Sequence, residues 1–383
     1  MGKICLCMIV KNESKIIREC LNSVVDNIDY WVICDTGSTD GTQDVIKTFF
    51  EEKGLSGELH EDEWVNFAHN RTLAFKRSKN KADYCFVIDA DDKLIGNLIL
   101  PEGNYHDYRM KITLGNLDYY RPQIFKNYLD WKYVGVVHEY PCLVDLTITK
   151  NTGIIQNCTI KAGTFGDRSS GECKFKRDIK LLLEGLETEP NNARYYFYLA
   201  QSYKDMGDNK NAIKYYKKRI EMGGWYEEVY HSLYSICVCK QRDGVDFENE
   251  ILYDYLKAYN YKKTRLEALY EIVKYYRINN KFREGYSYGL LGVINKYPQD
   301  VLFIDKDIHT WKFFDEVAIC AYYIDDHKLS IELNNKILNT EILNATDRER
   351  IQQNKNFSIN KKKSMKECLL NIKKILDENQ VLL

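Results

Sequence analysis

The chain lacks an excess of charge of either sign. Its 55 Lys and Arg against 56 Asp and Glu leave a formal net charge of -1. No whole-chain field therefore draws it to nucleic acid or an anionic membrane, and its chemistry must come from local groups. It also lacks long apolar runs. The run Ile4–Val10 is too short for a membrane span, has no small-residue cleavage site behind it, and no other stretch approaches spanning length. The Lys361-Lys362-Lys363 run reads as a solvated helix face. Twelve cysteines are present, yet their spacing suits neither metal pairs nor a disulfide framework. Cys5, Cys7, Cys34 and Cys85 lie in β-rich apolar runs, and Cys237 and Cys239 in a helical one, where they read as small buried hydrophobes. Free thiols fit a reducing compartment, so a cytoplasmic protein is expected. The segment after the first apolar run, Lys11-Asn12-Glu13-Ser14, lacks the glycine-rich basic phosphate loop of a nucleotidyltransferase.

What is present divides the chain. In the first ninety residues, apolar runs at 4–10, 31–34 and 84–88, with a third strand expected at 58–60, alternate with amphipathic helical spacing at 14–25, 42–50 and 68–76. Such alternation implies parallel strands with right-handed crossovers and ligand binding at their carboxyl ends. Short β-rich segments follow at 108–114, 119–125, 133–137, 143–149 and 154–160, read as antiparallel strands or hairpins that extend the sheet. From Cys173 onward the pattern is helical. Tyr196, Leu199, Ala200, Tyr203, Ala212 and Tyr216 fall at the offsets of a tetratricopeptide helix pair, with Met206 to Asn209 as its turn. Looser copies recur at Ile272, Val273, Tyr276 and Gly285, and at Phe314, Val317, Ala318, Ala321 and Ser330, with a degenerate unit over 230–239 and 252–259.

Two acidic motifs carry chemistry. In Phe86-Val87-Ile88-Asp89-Ala90-Asp91-Asp92, carboxylates follow an apolar strand, and strand alternation puts Asp89 and Asp91 on the same side. Two carboxylates can seat one hard divalent cation whose remaining ligands are waters and substrate phosphate oxygens. In Trp31 to Thr42, a capped β–α turn accounts for Ser38 to Gly41 and leaves Asp35 to accept hydrogen bonds from a base or ribose. Arg71, near the start of a helix, offers a fork of donors to a diphosphate.

The segments Cys7-Met8-Ile9-Val10-Lys11-Asn12-Glu13, Asp35 to Thr42 and Asp89-Ala90-Asp91-Asp92 resemble, in residues, order and spacing, the family 2 glycosyltransferases of the GT-A fold. The resemblance covers about the first 165 residues. It implies an α/β GT-A domain, Rossmann-like with a mixed sheet, over 1–168. An all-α, tetratricopeptide-like domain over 169–345 and a helical tail over 346–383 would follow. It further implies that Val10, Asn12 and Glu13 border the nucleobase, that Asp35 contacts it, and that Asp89 lies near ribose and metal. Asp91 would be the main metal ligand. Trp64 to Arg71 resembles the segment that brings an Asn-Arg pair, here Asn70 and Arg71, to the donor. Val134 to Pro141 resembles the segment in which relatives supply a further metal ligand, here His138, and Arg121 and Phe125 resemble the stretch before it.

The implied reaction is inverting transfer from a nucleotide sugar, most often uridine-linked, with Mn2+ or Mg2+. A carboxylate must deprotonate the acceptor hydroxyl or thiol of a glycan, protein or peptide. Glu139 and Asp92 are the nearest candidates by motif, with Asp118 and Asp167 behind them. The stacked helices offer a surface to a peptide, a protein or a second copy of the chain in a homodimer. A rival reading, a helical scaffold with a vestigial GT-A domain, leaves Asp89, Asp91 and His138 without a role.

Overall fold

A computed structural model describes residues 2–115, 117–163 and 174–380. Asp167 and the expected domain boundary at 168/169 lie outside the described residues. The chain packs as two compact units, Met1–Glu228 with Val301–Ile304, and Val229–Asp300 with Asp305–Leu383.

The first unit opens with β1 (Ile4–Val10), α1 (Ile17–Val24), β2 (Tyr30–Asp35), α2 (Thr42–Lys53), β3 (Gly57–Glu61), α3 (Phe67–Ser78) and β4 (Tyr84–Val87). It continues through β5 (Lys93–Gly96), β6 (Asp107–Leu114), β7 (Leu117–Lys126), β8 (Trp131–Val134), β9 (Tyr140–Leu143) and β10 (Thr152–Lys161). Three helices complete it, α4 (Lys174–Thr188), α5 (Ala193–Asp205) and α6 (Asn209–Glu221).

The main sheet runs β3-β2-β1-β4-β7-β6-β10-β5. Strands β1, β2, β3 and β4 are parallel, so their carboxyl ends share one edge, and β7 joins β4 antiparallel. The chain steps from β1 outward to β2 and β3, then returns to the other side of β1 with β4. That reversal opens the crevice where α/β sheets bind ligands. Strand β1 is apolar throughout because both its faces are covered. On one face Ile4, Leu6, Met8 and Val10 pack with Ile17 and Leu21 of α1 and Ile46 and Phe49 of α2. On the other, Cys7 and Cys85 pack with Ala74 and Phe75 of α3. Cys5, Cys7, Cys34 and Cys85 are buried and unbridged.

Three expectations need correction. Strand β10 is parallel to β6, because the excursion through β8 and β9 returns the chain to the start of β6, with Thr152 level with Asp107. The run at 143–149 is not a strand beyond Leu143, and 93–96 is one that the sequence did not signal. Strand β4 ends at Val87, and residues 89–92 form a turn closed by the Asp92 amide on the Asp89 carbonyl at 3.1 Å. The three aspartates are gathered by that turn, not by strand alternation.

The second unit holds most of α7 (Tyr226–Arg242) and α8 (Leu252–Tyr261), α9 (Glu267–Ile278), α10 (Phe282–Leu290), α11 (Phe313–Tyr323), α12 (His327–Leu338) and α13 (Ala345–Gln380). The residues read as repeat positions face inward. Ile272, Val273 and Tyr276 are buried on α9, and Phe314, Val317, Ala318 and Ala321 on α11. Gly285 on α10 lets that helix close on its neighbour, since a Cβ there would stand 2.8 Å from the Cys320 sulfur.

Candidate active site

The carboxyl ends of β1 and β2 are stitched together by local hydrogen bonds. Asp35 is fully buried, and its Oδ1 accepts from the amides of Gly37 and Ser38 at 2.9 and 2.7 Å. These bonds tighten the β2–α2 turn. The Asp35 Oδ2 has no hydrogen-bond partner among the described residues. A buried carboxylate oxygen left so is costly, and it marks a place where a ligand N–H would be welcome. Val10 is buried and pairs with Asp35 in register. Asn12 stands at φ 58, and its side chain accepts from the Thr39 amide at 2.9 Å. The Glu13 amide donates to the Thr42 hydroxyl at 2.8 Å. Asn12 and Glu13 thus shape the wall through their backbone, and the Asn12 carbonyl oxygen is engaged within the fold.

A capped helix start then delivers Arg71. The Asn66 side chain accepts from the His69 amide at 2.8 Å, an N-cap that begins α3. Asn70, expected as a donor ligand, is buried instead, its amide spent on the Val65 amide and the Glu63 carbonyl. It fixes the loop ahead of the helix. A single residue step, about 100° around the helix, separates the two roles. The Arg71 guanidinium donates from Nη2 to Asp89 Oδ1 at 2.5 Å and from Nε to Glu139 Oε1 at 2.8 Å. Its side chain is 11% exposed and that of Glu139 9%. Burial alone would lower the affinity of Arg71 for its proton, but Asp89 and Glu139 outweigh it and raise the pKa.

The aspartate turn is crowded with like charge. Asp92 is buried, and its carboxyl is pushed up from 3.8 to about 7, first by burial and then by Asp89, with Asp91 adding less. Arg121 of β7 opposes this, its Nη2 lying 3.9 Å from Asp89 and 3.8 Å from Asp92. The folded chain therefore holds that proton more tightly than the unfolded chain does. This contribution to stability is complete below about pH 4 and lost as the pH rises towards 7. In EDTA, Asp92→Asn should gain on the wild type over this window by up to a few kcal/mol. Urea denaturation at several pH values checks it; a pH-independent difference between the two proteins would contradict it.

Behind the turn, the Gly163 amide donates to Asp92 Oδ1 at 3.0 Å. A Cβ on Gly163 would fall 2.1 Å from the Asp91 carbonyl oxygen, a contact only backbone movement could relieve. Gly163→Ala should displace Asp91 and weaken any cation or donor binding with a smaller loss of fold. Calorimetric titration of Mn2+ and UDP against this variant is the check.

His138 is placed differently from expectation. Among the described residues no group of three or more His, Cys, Asp or Glu is arranged to hold a metal ion. The His138 ring stacks on Tyr198 of α5, centroids 3.9 Å apart. The left-handed backbone at His138, φ 51, turns the next residue, Glu139, towards Arg71. Asp118 is occupied in the β6–β7 hairpin, accepting from the Thr113 hydroxyl at 2.9 Å, and Phe125 is a core residue packed on Phe75 and Trp131. Sequence reasoning did not find Tyr198 or Arg194 beside the site, since aromatic and basic residues at helix-pair spacing read as packing and solvation.

A partly buried acidic turn, a guanidinium bridging two carboxylates and an aspartate oxygen without a hydrogen-bond partner among the described residues lie at one edge of a mixed sheet. The Glycosyl transferase family 2 model matches residues 5–165, the part of the chain that holds these groups. The chain is 27% identical over 234 residues to the SPbeta prophage-derived glycosyltransferase SunS of Bacillus subtilis, an alignment covering 56% of this chain and 52% of that protein. It is 28% identical over 264 residues to a TPR repeat-containing protein of Synechococcus elongatus, covering 64% and 63%. The chain thus spans about half to two thirds of the length of these curated relatives. Among solved structures it is similar to S. aureus TarS, at 14% identity and a TM-score of 0.33, covering 66% of this chain and 55% of that one. No described helix is long and apolar enough to cross a membrane.

Proposed function

We propose that this chain is an inverting, metal-dependent glycosyltransferase that moves a sugar from a nucleotide sugar, UDP-linked, to a glycan, protein or peptide acceptor. The observation that carries the reading is the bridge from Arg71 to both Asp89 and Glu139, beside the Asp89–Asp92 turn, within the residues that the family 2 model matches. The carboxylates of the turn are the donor type that a hard divalent cation takes. Three carboxylates share one turn, and the Asp92 pKa is raised first by burial and then by the neighbouring Asp89 charge, a repulsion that a hard cation would relieve. Asp91 and Asp89 would hold it, with phosphate oxygens and water completing its shell. When bound, it supplies Lewis-acid neutralisation of the departing diphosphate.

The chain's own groups do the rest. The free Asp35 Oδ2 accepts from a nucleobase N–H. Arg71, held charged, faces the negative charge that develops on the diphosphate. Glu139 binds Arg71 through Oε1, which leaves Oε2 to take the acceptor's proton as the acceptor attacks from the opposite face. Asp92, held by the Gly163 amide beside the same turn, is the second candidate for that proton.

The test is release of nucleoside diphosphate from UDP-glucose, UDP-galactose, UDP-N-acetylglucosamine and GDP-mannose, with Mn2+ and with EDTA. Mn2+-dependent release from a UDP-sugar is expected. Metal-independent release would overturn the metal's role, and no release from any donor would favour a vestigial domain.

A further inference from the structure

We infer that Arg194, on the first helix of the α5–α6 pair, is a positioning residue for Glu139 and makes that helix part of the catalytic apparatus. The inference rests on the reading of Glu139 as the proton acceptor.

Glu139 leaves a segment, residues 135–139, that has little regular structure of its own. It begins with Gly135 at φ 111 and includes His138 at φ 51, a region that residues with a side chain rarely adopt. Such a turn persists only where its surroundings hold it. Here the holding groups come from α4 and α5. The Arg194 guanidinium donates from Nε and Nη2 to the His138 carbonyl, at 3.2 and 3.1 Å. Tyr198, one helical turn on, stacks against the His138 ring. The Tyr195 hydroxyl meets the Val136 backbone amide. Gly185 of α4 leaves room for the segment, since a Cβ there would lie 3.1 Å from Val136 Cγ2.

Arg194 is itself held. Its guanidinium lies over the rings of Tyr198 and Tyr140, at 4.7 and 5.0 Å, and Nη1 is 3.5 Å from Glu228. Glu228 is anchored in turn by the buried Arg219 at 2.8 Å. A chain of contacts thus runs from α6 through Glu228 and Arg194 to the carbonyl of His138. The next residue is the carboxylate that meets Arg71. Arg194 is 26% exposed and touches none of the aspartates of the turn through any hydrogen bond or ion pair described, so its influence passes through the segment.

Hydrogen exchange and kinetics on the full chain test this together. In Arg194→Ala, amide exchange over 136–140 should quicken about tenfold or more, the size of one lost charge-assisted hydrogen bond. The other peptides and the melting temperature should change little. Turnover of the best UDP-sugar of the panel above should fall by about the same factor, with KM for that donor nearly unchanged. Arg194→Lys should recover part of both. In a Glu139→Gln background, Arg194→Ala should add no further loss of turnover, because the two act as a unit. Unchanged exchange over 136–140, quickened exchange throughout the unit, or additive losses would overturn the role of Arg194. Full turnover by Glu139→Gln alone would instead overturn the reading of Glu139 on which it rests, and the exchange data would remain a separate measure of the clamp.

Discussion

Asp91→Ala should lower Mn2+-dependent turnover by about a hundredfold or more while the fold stays nearly as stable as the wild type. The first half follows from losing a principal carboxylate ligand of the cation, whose neutralisation of the departing diphosphate is worth several kcal/mol, each 1.4 kcal/mol being about tenfold in rate. The second follows from exposure. Asp91 is partly open to solvent on a turn, whereas Asp92 beside it is buried and tied to the Gly163 amide. Removing a half-exposed carboxylate from a cluster of like charges relieves repulsion and leaves no cavity. The pair of measurements matters more than either alone. Lost turnover with an unchanged melting temperature places Asp91 in the chemistry. Turnover within a few-fold of wild type would remove it.

Arg71→Ala has the opposite profile and should be the most destabilising single change in the site. Its guanidinium bridges two carboxylates, and Arg71 and Glu139 are both about nine-tenths buried. Deleting one member of a buried ion pair strands its partners, at a cost of about 3–5 kcal/mol. Glu139 would be left buried without its partner, and Asp89 beside Asp92 with one counter-charge fewer. Urea denaturation measures the loss, and adding Glu139→Gln to Arg71→Ala should restore part of it, since the stranded charge is then gone. A loss below about 1 kcal/mol, typical of a solvent-exposed pair, would mean that the bridge is not buried as described.

Much of this site is legible in the sequence, because short-range rules place it. Continuous apolar runs mark strands covered on both faces, and the residues just past them must lie at the carboxyl edge. Asp35 and Asp89 are found that way. Arg71 follows from its place near the start of a helix, and Glu139 is named by its motif. What the sequence leaves out is of another kind. Asn70 and Asn12 are the right residue type for a ligand, yet backbone groups in their own loops claim them first, and no spacing rule shows which hydrogen bond wins. The resemblance points to His138 as a metal ligand. Its actual place depends on Tyr198, 60 residues further on, which a single sequence cannot bring to it. The same holds for β10, whose direction is set by how far the β8–β9 excursion carries the chain. Local chemistry could be read, and partnership across distance could not.

The most direct measurement is a calorimetric titration of UDP into the full chain, in Mn2+ and in EDTA, repeated with Asp91→Ala. UDP should bind at least about tenfold more tightly with Mn2+, a coupling of 1.4 kcal/mol or more, and Asp91→Ala should abolish that gain. Equal UDP affinity with and without the metal, or a gain that survives the loss of Asp91, would contradict a diphosphate held through a cation on the aspartate turn.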